Sequence, residues 1–163
     1  MTQQHPEILE TCETAWPDEA ACAAMAAALA ARPALRAAFV ELDGPLGAGK
    51  TTFVRHLLHA LGVEGRVKSP TYAIVETYRV DELAVSHFDF YRFDDPQEWE
   101  DAGLRDLFGA AGLKLVEWAE KAQPLLPVPD LRVTITPHDD ARRAVRLDAM
   151  TPLGAQLIDN PPR

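Results

Sequence analysis

A glycine-rich segment lies between an apolar stretch and an amphipathic one and limits the folds that this chain can adopt. The segment reads Gly44-Pro45-Leu46-Gly47-Ala48-Gly49-Lys50-Thr51. It matches the Walker A pattern, in which backbone N–H groups enclose phosphate oxygens. Glycines let the backbone turn sharply and come close to those oxygens. The segment therefore predicts a phosphate-binding loop with a strand before it and a helix after it.

Each polar residue of the predicted loop has an expected role. Lys50 carries the ammonium that reaches the β- and γ-phosphates as a point charge. Thr51 offers its hydroxyl to Mg²⁺, and Thr52 is expected to touch the α-phosphate. The helix N-terminus adds oriented N–H groups. We expect a nucleoside triphosphate bound with Mg²⁺, in preference to a glycine-rich turn with a surface lysine, because both flanking elements fit.

The sequence around the loop predicts helices and strands in alternation. Residues 39–42 predict a strand, and residues 51–61 show helical periodicity that Gly62 ends. Upstream, Asp18 is a plausible N-cap for an alanine-rich helix that ends before Pro33.

Residues 71–80 and 83–91 predict a hairpin, and residues 113–116 a buried strand. Residues 131–136 and 144–147 could pair with each other. The expected fold class is α/β: a P-loop NTPase-like sandwich with a mixed central sheet and flanking helices.

The composition is that of a single soluble domain spanning residues 1–163, with loose ends at about 1–15 and 159–163. No apolar run approaches the ~20 residues that a membrane span needs, and the first ten residues do not resemble a signal peptide. We therefore expect a cytoplasmic protein that does not interact with membranes. Cys12 and Cys22 fit no metal pattern and are expected to be free thiols.

The formal net charge of −9 disfavours direct binding of nucleic acid, because the bulk charge repels phosphate. If the protein serves RNA chemistry, other subunits are expected to hold the RNA. No Asn-Lys-x-Asp element, which would recognise guanine, occurs in the sequence, so adenine is favoured as the base.

Two carboxylates compete to be the second protein anchor for the metal. Asp89 lies on a strand between aromatic residues, where a carboxylate needs a partner, and an ion pair with Arg92 or Arg79 is the structural alternative. Glu117 follows the apolar strand 113–116, at a position where ligands collect in open α/β sheets, and a solvated acid is its alternative. The sequence does not decide which acid touches the ion.

Residues 69–72 form a hydroxyl-bearing loop after the predicted phosphate-loop helix. Ser69 and Thr71 could belong to a switch that senses the γ-phosphate, or the segment could be a proline-stiffened turn into a strand. Both interpretations stay open on the sequence.

Taken together, five motifs resemble those of the TsaE family, also called YjeE, the bacterial P-loop ATPase of threonylcarbamoyladenosine formation on tRNA. The resemblance runs from about Trp16 to about Ile158. In order, the motifs occupy residues 17–19, 46–52, 67–72, 87–92 and 116–118.

The resemblance implies slow hydrolysis of ATP, with Mg²⁺ as cofactor and with turnover stimulated by partner proteins. The expected partners are a tRNA threonylcarbamoyl transferase subunit and its inactive-homologue companion. These install threonylcarbamoyl on adenosine 37, and this chain would contact tRNA only indirectly. A P-loop small-molecule kinase and a non-hydrolysing nucleotide sensor are the alternative functions.

The resemblance also implies roles for particular residues. Thr51 and Glu117 would hold Mg²⁺, and Lys50, Asp89 and Thr71 would be catalytic, with Asp89 as a Walker-B-like acid and Thr71 in the switch loop. The residues implied at the phosphates are Gly47, Ala48, Gly49, Lys50, Thr51 and Thr52. Those implied near the rest of the nucleotide are Trp118, Glu120, Asp18 and Arg142.

Two positions depart from the family pattern. Pro45 stands where Asp or Asn is common, which removes one backbone donor from the outer edge of the loop. Ala119 stands where proline is frequent. Neither change removes a chemical group that the mechanism needs, so activity is expected to survive.

Overall fold

A seven-stranded mixed sheet runs through the part of the chain that the computed structural model describes, residues 7–68, 70, 74–95, 97–101 and 103–158. Its strands are β1 (Glu10–Trp16), β2 (Phe39–Asp43), β3 (Val75–Val80), β4 (Leu83–Asp89), β5 (Leu113–Glu117), β6 (Leu131–Pro137) and β7 (Arg143–Ala149). The α-helices are α1 (Glu19–Ala30), α2 (Lys50–Leu61), α3 (Gln97–Asp101), α4 (Leu104–Gly109) and α5 (Pro152–Ile158). Short 3₁₀ turns span Pro33–Ala37 and Ala119–Lys121.

The strands lie in the order β1-β7-β6-β2-β5-β4-β3. Strands β6, β2, β5 and β4 pair in parallel and form the centre of the sheet. The outer pairs β3–β4, β6–β7 and β1–β7 are antiparallel. This arrangement confirms the predicted mixed α/β sheet, the predicted hairpin and the predicted pairing of the last two strands.

Strand β1 corrects one expectation. Residues 1–15 were expected to be a loose end, but β1 begins at Glu10 and pairs with β7 along its whole length. Its side chains are exposed except at Trp16 and Cys12, so no alternation of apolar and polar residues marks it in the sequence. Backbone pairing to a neighbour far along the chain forms this strand, which local periodicity cannot reveal. Residues 159–163 lie outside the described part.

The phosphate-loop helix forms as predicted. Helix α2 begins at Lys50, directly after the loop, and ends at Gly62, whose φ of 109° is the left-handed C-cap conformation that glycine favours. Its apolar stripe is buried at Phe53, Val54, Leu57 and Leu58. Helix α1 packs beside it and is capped as predicted by Asp18, whose side chain accepts a hydrogen bond from the Ala21 N–H at 2.9 Å.

Two apolar clusters occupy the two faces of the sheet. Neighbouring residues such as Leu115 and Val116 fall in different clusters, as expected because side chains alternate along a strand. The larger cluster lies under α1, α2 and α5, and the smaller one is rich in aromatic side chains. Each face is therefore covered, and the parallel pairing of the central strands puts their carboxyl ends at one edge of the sheet.

No helix within the described ranges is long and apolar enough to cross a membrane.

Candidate functional site

A cavity of about 400 Å³ opens at the carboxyl ends of β2, β4 and β5. The phosphate loop and the first residues of α2 form one wall, and Asp89, Tyr91, Glu117 and Trp118 from the ends of β4 and β5 contribute to the other. In open α/β sheets ligands bind at this edge. The predicted phosphate residues 47–52 all line the cavity.

Lys50 lies inside the cavity and its residue surface is only 5% exposed. Its ammonium donates a hydrogen bond to the Gly44 carbonyl oxygen and lies 3.7 Å from the centroid of the Trp118 ring. Burial lowers the pKa of this ammonium, and the nearby Glu117 carboxylate opposes that shift. A phosphate bound in the loop would supply the charge partner that the buried ammonium needs.

Thr51 and Glu117 lie in direct contact, although 66 positions separate them in the chain. The Thr51 hydroxyl donates to Glu117 Oε1 at 3.0 Å and to Oε2 at 3.1 Å. A hydroxyl oxygen beside a carboxylate is the oxygen-only donor set that Mg²⁺ takes from proteins when phosphates and waters complete its shell. These two residues therefore fit the predicted metal anchor.

Asp89 also faces the cavity, at the end of the neighbouring strand β4. Its Oδ1 accepts a hydrogen bond from the Tyr91 N–H at 2.9 Å. Burial raises the pKa of the Asp89 carboxyl, while the Tyr91 hydrogen bond opposes the rise. Asp89 is paired in register with Glu117, so the two competing acids lie side by side, and Glu117 is the one bonded to Thr51.

Trp118 has a left-handed backbone, with φ of 59° and ψ of 42°. Such a conformation costs free energy in a residue with a large side chain and often occurs at functional sites. Here it follows directly after Glu117 and places the indole ring over Lys50 and beside Tyr91, with 5.0 Å between the two aromatic ring centroids.

A second cavity of about 250 Å³ adjoins the first. Ala48, Gly49 and Thr52 line both cavities, and Trp16 and Asp18 close the far side of the second. Within the described chain the Trp16 Nε1–H is buried and makes no hydrogen bond. A buried donor with no partner at the wall of a cavity is available to a ligand.

Two adjacent arginines lie near the phosphate loop side of the sheet. The side chain of Arg142, which the resemblance implies near the nucleotide, is largely exposed and bonds to Asp140, with Nε and Oδ2 2.9 Å apart. Arg143 contacts the phosphate loop itself and donates from Nε to the Ala48 carbonyl at 2.8 Å. Arg143 is the first residue of β7, whereas Arg142 belongs to the turn before the strand, and the sequence does not show where this strand begins.

The other predicted residues divide into three groups. Asp18 lines the second cavity, and its predicted position near the nucleotide stays a prediction. Glu120 does not line either cavity and lies beside Glu41 and Asp43 at a separate depression. Thr71, with the rest of the predicted switch segment apart from Pro70, lies outside the described residues, and Pro70 lines the first cavity.

His87 is a buried, hydrogen-bonded histidine on β4. Its Nε2 lies 2.6 Å from Glu117 Oε2. The partner could not be named from the sequence, because it depends on the parallel pairing of β4 with β5.

Residues 16–145 match the model of a protein family described as threonylcarbamoyl adenosine biosynthesis protein TsaE. The match includes the phosphate loop, Asp89 and Glu117 and covers most of the chain. The chain belongs to the TsaE family. The resemblance predicted from the five motifs is thus confirmed.

Relatives named as TsaE agree with this assignment. The chain is 47% identical over 123 residues to the tRNA threonylcarbamoyladenosine biosynthesis protein TsaE of Haemophilus influenzae, which covers 76% of this chain and 77% of the relative. It is 39% identical over 111 residues to the protein of the same name from Bacillus subtilis, with coverage of 68% and 69%. The crystal structure of Bacillus subtilis YdiB matches with a TM-score of 0.74 and 26% identity over 93% of both chains. The TsaE-family chain therefore has a P-loop fold, as predicted.

Proposed function

We propose that this protein binds ATP with Mg²⁺ and hydrolyses it slowly, as a component of the cytoplasmic machinery that adds threonylcarbamoyl to adenosine 37 of tRNA. The observation that carries the proposal is the meeting of Lys50, Thr51 and Glu117 in one cavity behind a Walker A loop. The names of the relatives supply the pathway.

The phosphates would lie on the backbone N–H groups of residues 47–52, at the positive end of the α2 dipole. Lys50 would move from the Trp118 ring to the β- and γ-phosphates, because a phosphate is a stronger partner for an ammonium than an aromatic face. Thr51 and Glu117 would hold Mg²⁺. When bound, the ion neutralises phosphate charge and orients the β- and γ-oxygens.

Asp89, which lines the same cavity, would accept a hydrogen bond from the water that attacks the γ-phosphorus. The bond from that phosphorus to the β-phosphate oxygen then breaks, giving ADP and inorganic phosphate. Glu117, beside it, bonds to Thr51, whereas Asp89 Oδ1 accepts from the Tyr91 N–H, so an Asp89 oxygen would remain for the water. A water-positioning group and charge stabilisation are the two contributions that the protein makes to this class of reaction.

The nucleoside would occupy the second cavity. The two cavities meet at Ala48, Gly49 and Thr52, so an α-phosphate at Thr52 would leave the ribose and base beside Trp16 and Arg143. The Trp16 Nε1–H offers a hydrogen bond there, and Asp18 offers a carboxylate oxygen beside its N-cap bond.

Stimulation by partners fits the rim of the first cavity. Leu46 at the tip of the phosphate loop is 73% exposed, and Tyr91 is also exposed. A protein that covered these side chains would close the cavity and exclude water from the phosphates. The partners proposed are the transferase subunit and its inactive-homologue companion, which would also hold the tRNA, because the net charge of −9 disfavours RNA on this chain.

The test is a pair of lysine variants assayed for ATP binding and phosphate release, with and without the purified partners. Lys50→Ala should lower ATP affinity by tenfold or more, the scale of a lost charge-assisted contact of about 1.5–3 kcal/mol. Lys121→Ala, at an exposed lysine away from the cavity, should behave like the parent chain.

Each outcome of this assay decides between functions. A rise in phosphate release on adding the partners, together with formation of the modified adenosine, supports the proposal. Phosphoryl transfer to a metabolite with little free phosphate would indicate a kinase. Binding without any partner-dependent rise would indicate a nucleotide sensor, and a Lys50→Ala variant that binds ATP like the parent would overturn the site itself.

A further inference from the structure

A buried chain of hydrogen bonds continues behind the metal anchor, from Thr51 through Glu117 to His87. His87 is fully buried, and its Nε2 lies 2.6 Å from Glu117 Oε2. Glu117 is itself only 2% exposed. Among the described residues His87 does not line the first cavity, and its hydrogen bond to the site runs through Glu117.

We propose that His87 is the positioning residue of the magnesium site, which selects the Glu117 oxygen that is presented to the metal or to a metal-bound water. The proposal rests on the proposed function, because it assumes Mg²⁺ at Thr51 and Glu117. It goes beyond that function by giving a defined role to a residue that touches neither nucleotide nor metal.

The environment of the imidazole fixes its proton. Nδ1 is buried and has no hydrogen-bond partner within the described chain, whereas Nε2 faces a carboxylate oxygen. An N–H at Nε2 satisfies that oxygen and leaves only a lone pair at Nδ1, whereas an N–H at Nδ1 would bury an unpaired donor beside two facing acceptors. The ring is therefore the tautomer protonated at Nε2, donating to Glu117.

The two carboxylate oxygens of Glu117 differ in how many hydrogen bonds they accept. Each carboxylate oxygen accepts about two hydrogen bonds. The single Thr51 hydroxyl hydrogen is shared between Oε1 at 3.0 Å and Oε2 at 3.1 Å, whereas His87 donates to Oε2 alone at 2.6 Å, so Oε2 is the more fully occupied oxygen. Oε1 is thus the oxygen with a free lone pair, and His87 prevents the carboxylate from turning to exchange the two. Partners of this kind behind a metal ligand commonly change metal affinity by about 10–100-fold when removed.

The test replaces His87 by Gln or by Asn, whose side-chain amides extend to different distances from the backbone. In His87→Gln the amide nitrogen replaces Nε2 and can still donate to Glu117, whereas in His87→Asn it replaces Nδ1 and falls short. Ser86→Ala is the matched control, since Ser86 is the buried neighbour on the same strand and does not line the first cavity. Binding of a fluorescent ADP analogue is measured with EDTA and across a Mg²⁺ titration, and each variant is melted with and without Mg²⁺.

We expect His87→Asn to raise the Mg²⁺ concentration for half-maximal binding by about tenfold or more, with binding in EDTA unchanged. His87→Gln and Ser86→Ala should stay close to the parent chain. If His87 is merely structural, Asn and Gln will weaken binding equally in EDTA and in Mg²⁺, and the proposal fails. A parent chain that binds the analogue without any dependence on Mg²⁺ would instead refute the metal site of the proposed function.

A second measurement needs no variant and applies even if His87→Asn does not fold. The ¹⁵N resonances of the imidazole in the parent protein report which nitrogen carries the proton. Protonation at Nε2 with a bare Nδ1 supports the proposal. Protonation at Nδ1 would overturn it, because Nε2 could then donate nothing to Glu117.

Discussion

At the scale of single residues, Lys50 shows how the site is held ready for an anion. Its ammonium is buried, donates to the Gly44 carbonyl and lies against the Trp118 ring. A carbonyl and an aromatic face balance only part of a buried charge, and burial accordingly lowers the pKa of this lysine. Phosphate binding, as proposed, would complete this balance of charge.

Cys22 provides a residue-scale prediction about pH. Burial, with a smaller contribution from Glu19, raises the pKa of its thiol from 9.0 to about 12. Between these values the unfolded chain loses the proton and the folded chain keeps it, so stability is unaffected below pH 9 and falls as the pH rises above it. We expect the free energy of unfolding to fall by about 1 kcal/mol per pH unit in this window, as measured by urea unfolding at pH 8, 9 and 10.

Two variants separate the contribution of Cys22 to the pH dependence of stability from that of other groups that titrate at high pH. Cys22→Ala should remove about that slope relative to the parent chain. Cys12→Ala, at a half-buried thiol on β1, should leave the slope in place. If both variants retain the slope of the parent chain, burial of Cys22 is not its cause.

At the scale of elements, the sequence was most informative where structure is encoded locally. The strand β2, the loop and the helix α2 follow from turn chemistry and apolar spacing within one continuous stretch, and they were predicted closely. Strand β1 was missed because its exposed side chains carry no pattern and its partner β7 is more than 125 positions away. The contact of Arg143 with the Ala48 carbonyl was missed for the same reason, because it depends on where β7 pairs in the sheet.

The turn that leads into β5 carries a prediction at this scale. Gly112 has a φ of +130°, and a Cβ there would lie 2.3 Å from the Ala84 carbonyl oxygen on β4. At Gly109, three residues earlier at the end of α4, an added Cβ would have no other atom within 4 Å. Gly112→Ala should lower the free energy of unfolding by about 2 kcal/mol or more, because both the backbone angle and the clash oppose it.

Gly109→Ala is the control for this substitution. It should be neutral or stabilise the chain by up to about 1 kcal/mol, since alanine favours a helix more than glycine does. Chemical denaturation of both variants compares them directly. If both variants lost the same free energy of unfolding, the close approach of Gly112 to the Ala84 carbonyl would not be the reason that glycine is needed there.

At the scale of the whole molecule, the site exists because parallel pairing aligns three strand ends. Asp43, Asp89 and Glu117 end β2, β4 and β5, although these strands lie far apart in the chain. The sequence supplied the two candidate acids but could not choose between them, because the choice depends on which strand end lies opposite Thr51. The same pairing places His87 behind Glu117. Residue types were therefore predictable, whereas their contacts required the order of the strands.

The final prediction concerns the stability of the whole fold. A ligand that binds only the folded chain stabilises it by about 2.7 kcal/mol when present at 100 times its dissociation constant. For a chain of this size that corresponds to a rise in melting temperature of about 5–10 °C. ADP with Mg²⁺ should produce this rise in the parent chain and in Lys121→Ala, but not in Lys50→Ala, measured by calorimetry. An equal rise in Lys50→Ala would mean that the nucleotide binds away from the phosphate loop, since the buried ammonium of that loop would then contribute nothing to its affinity.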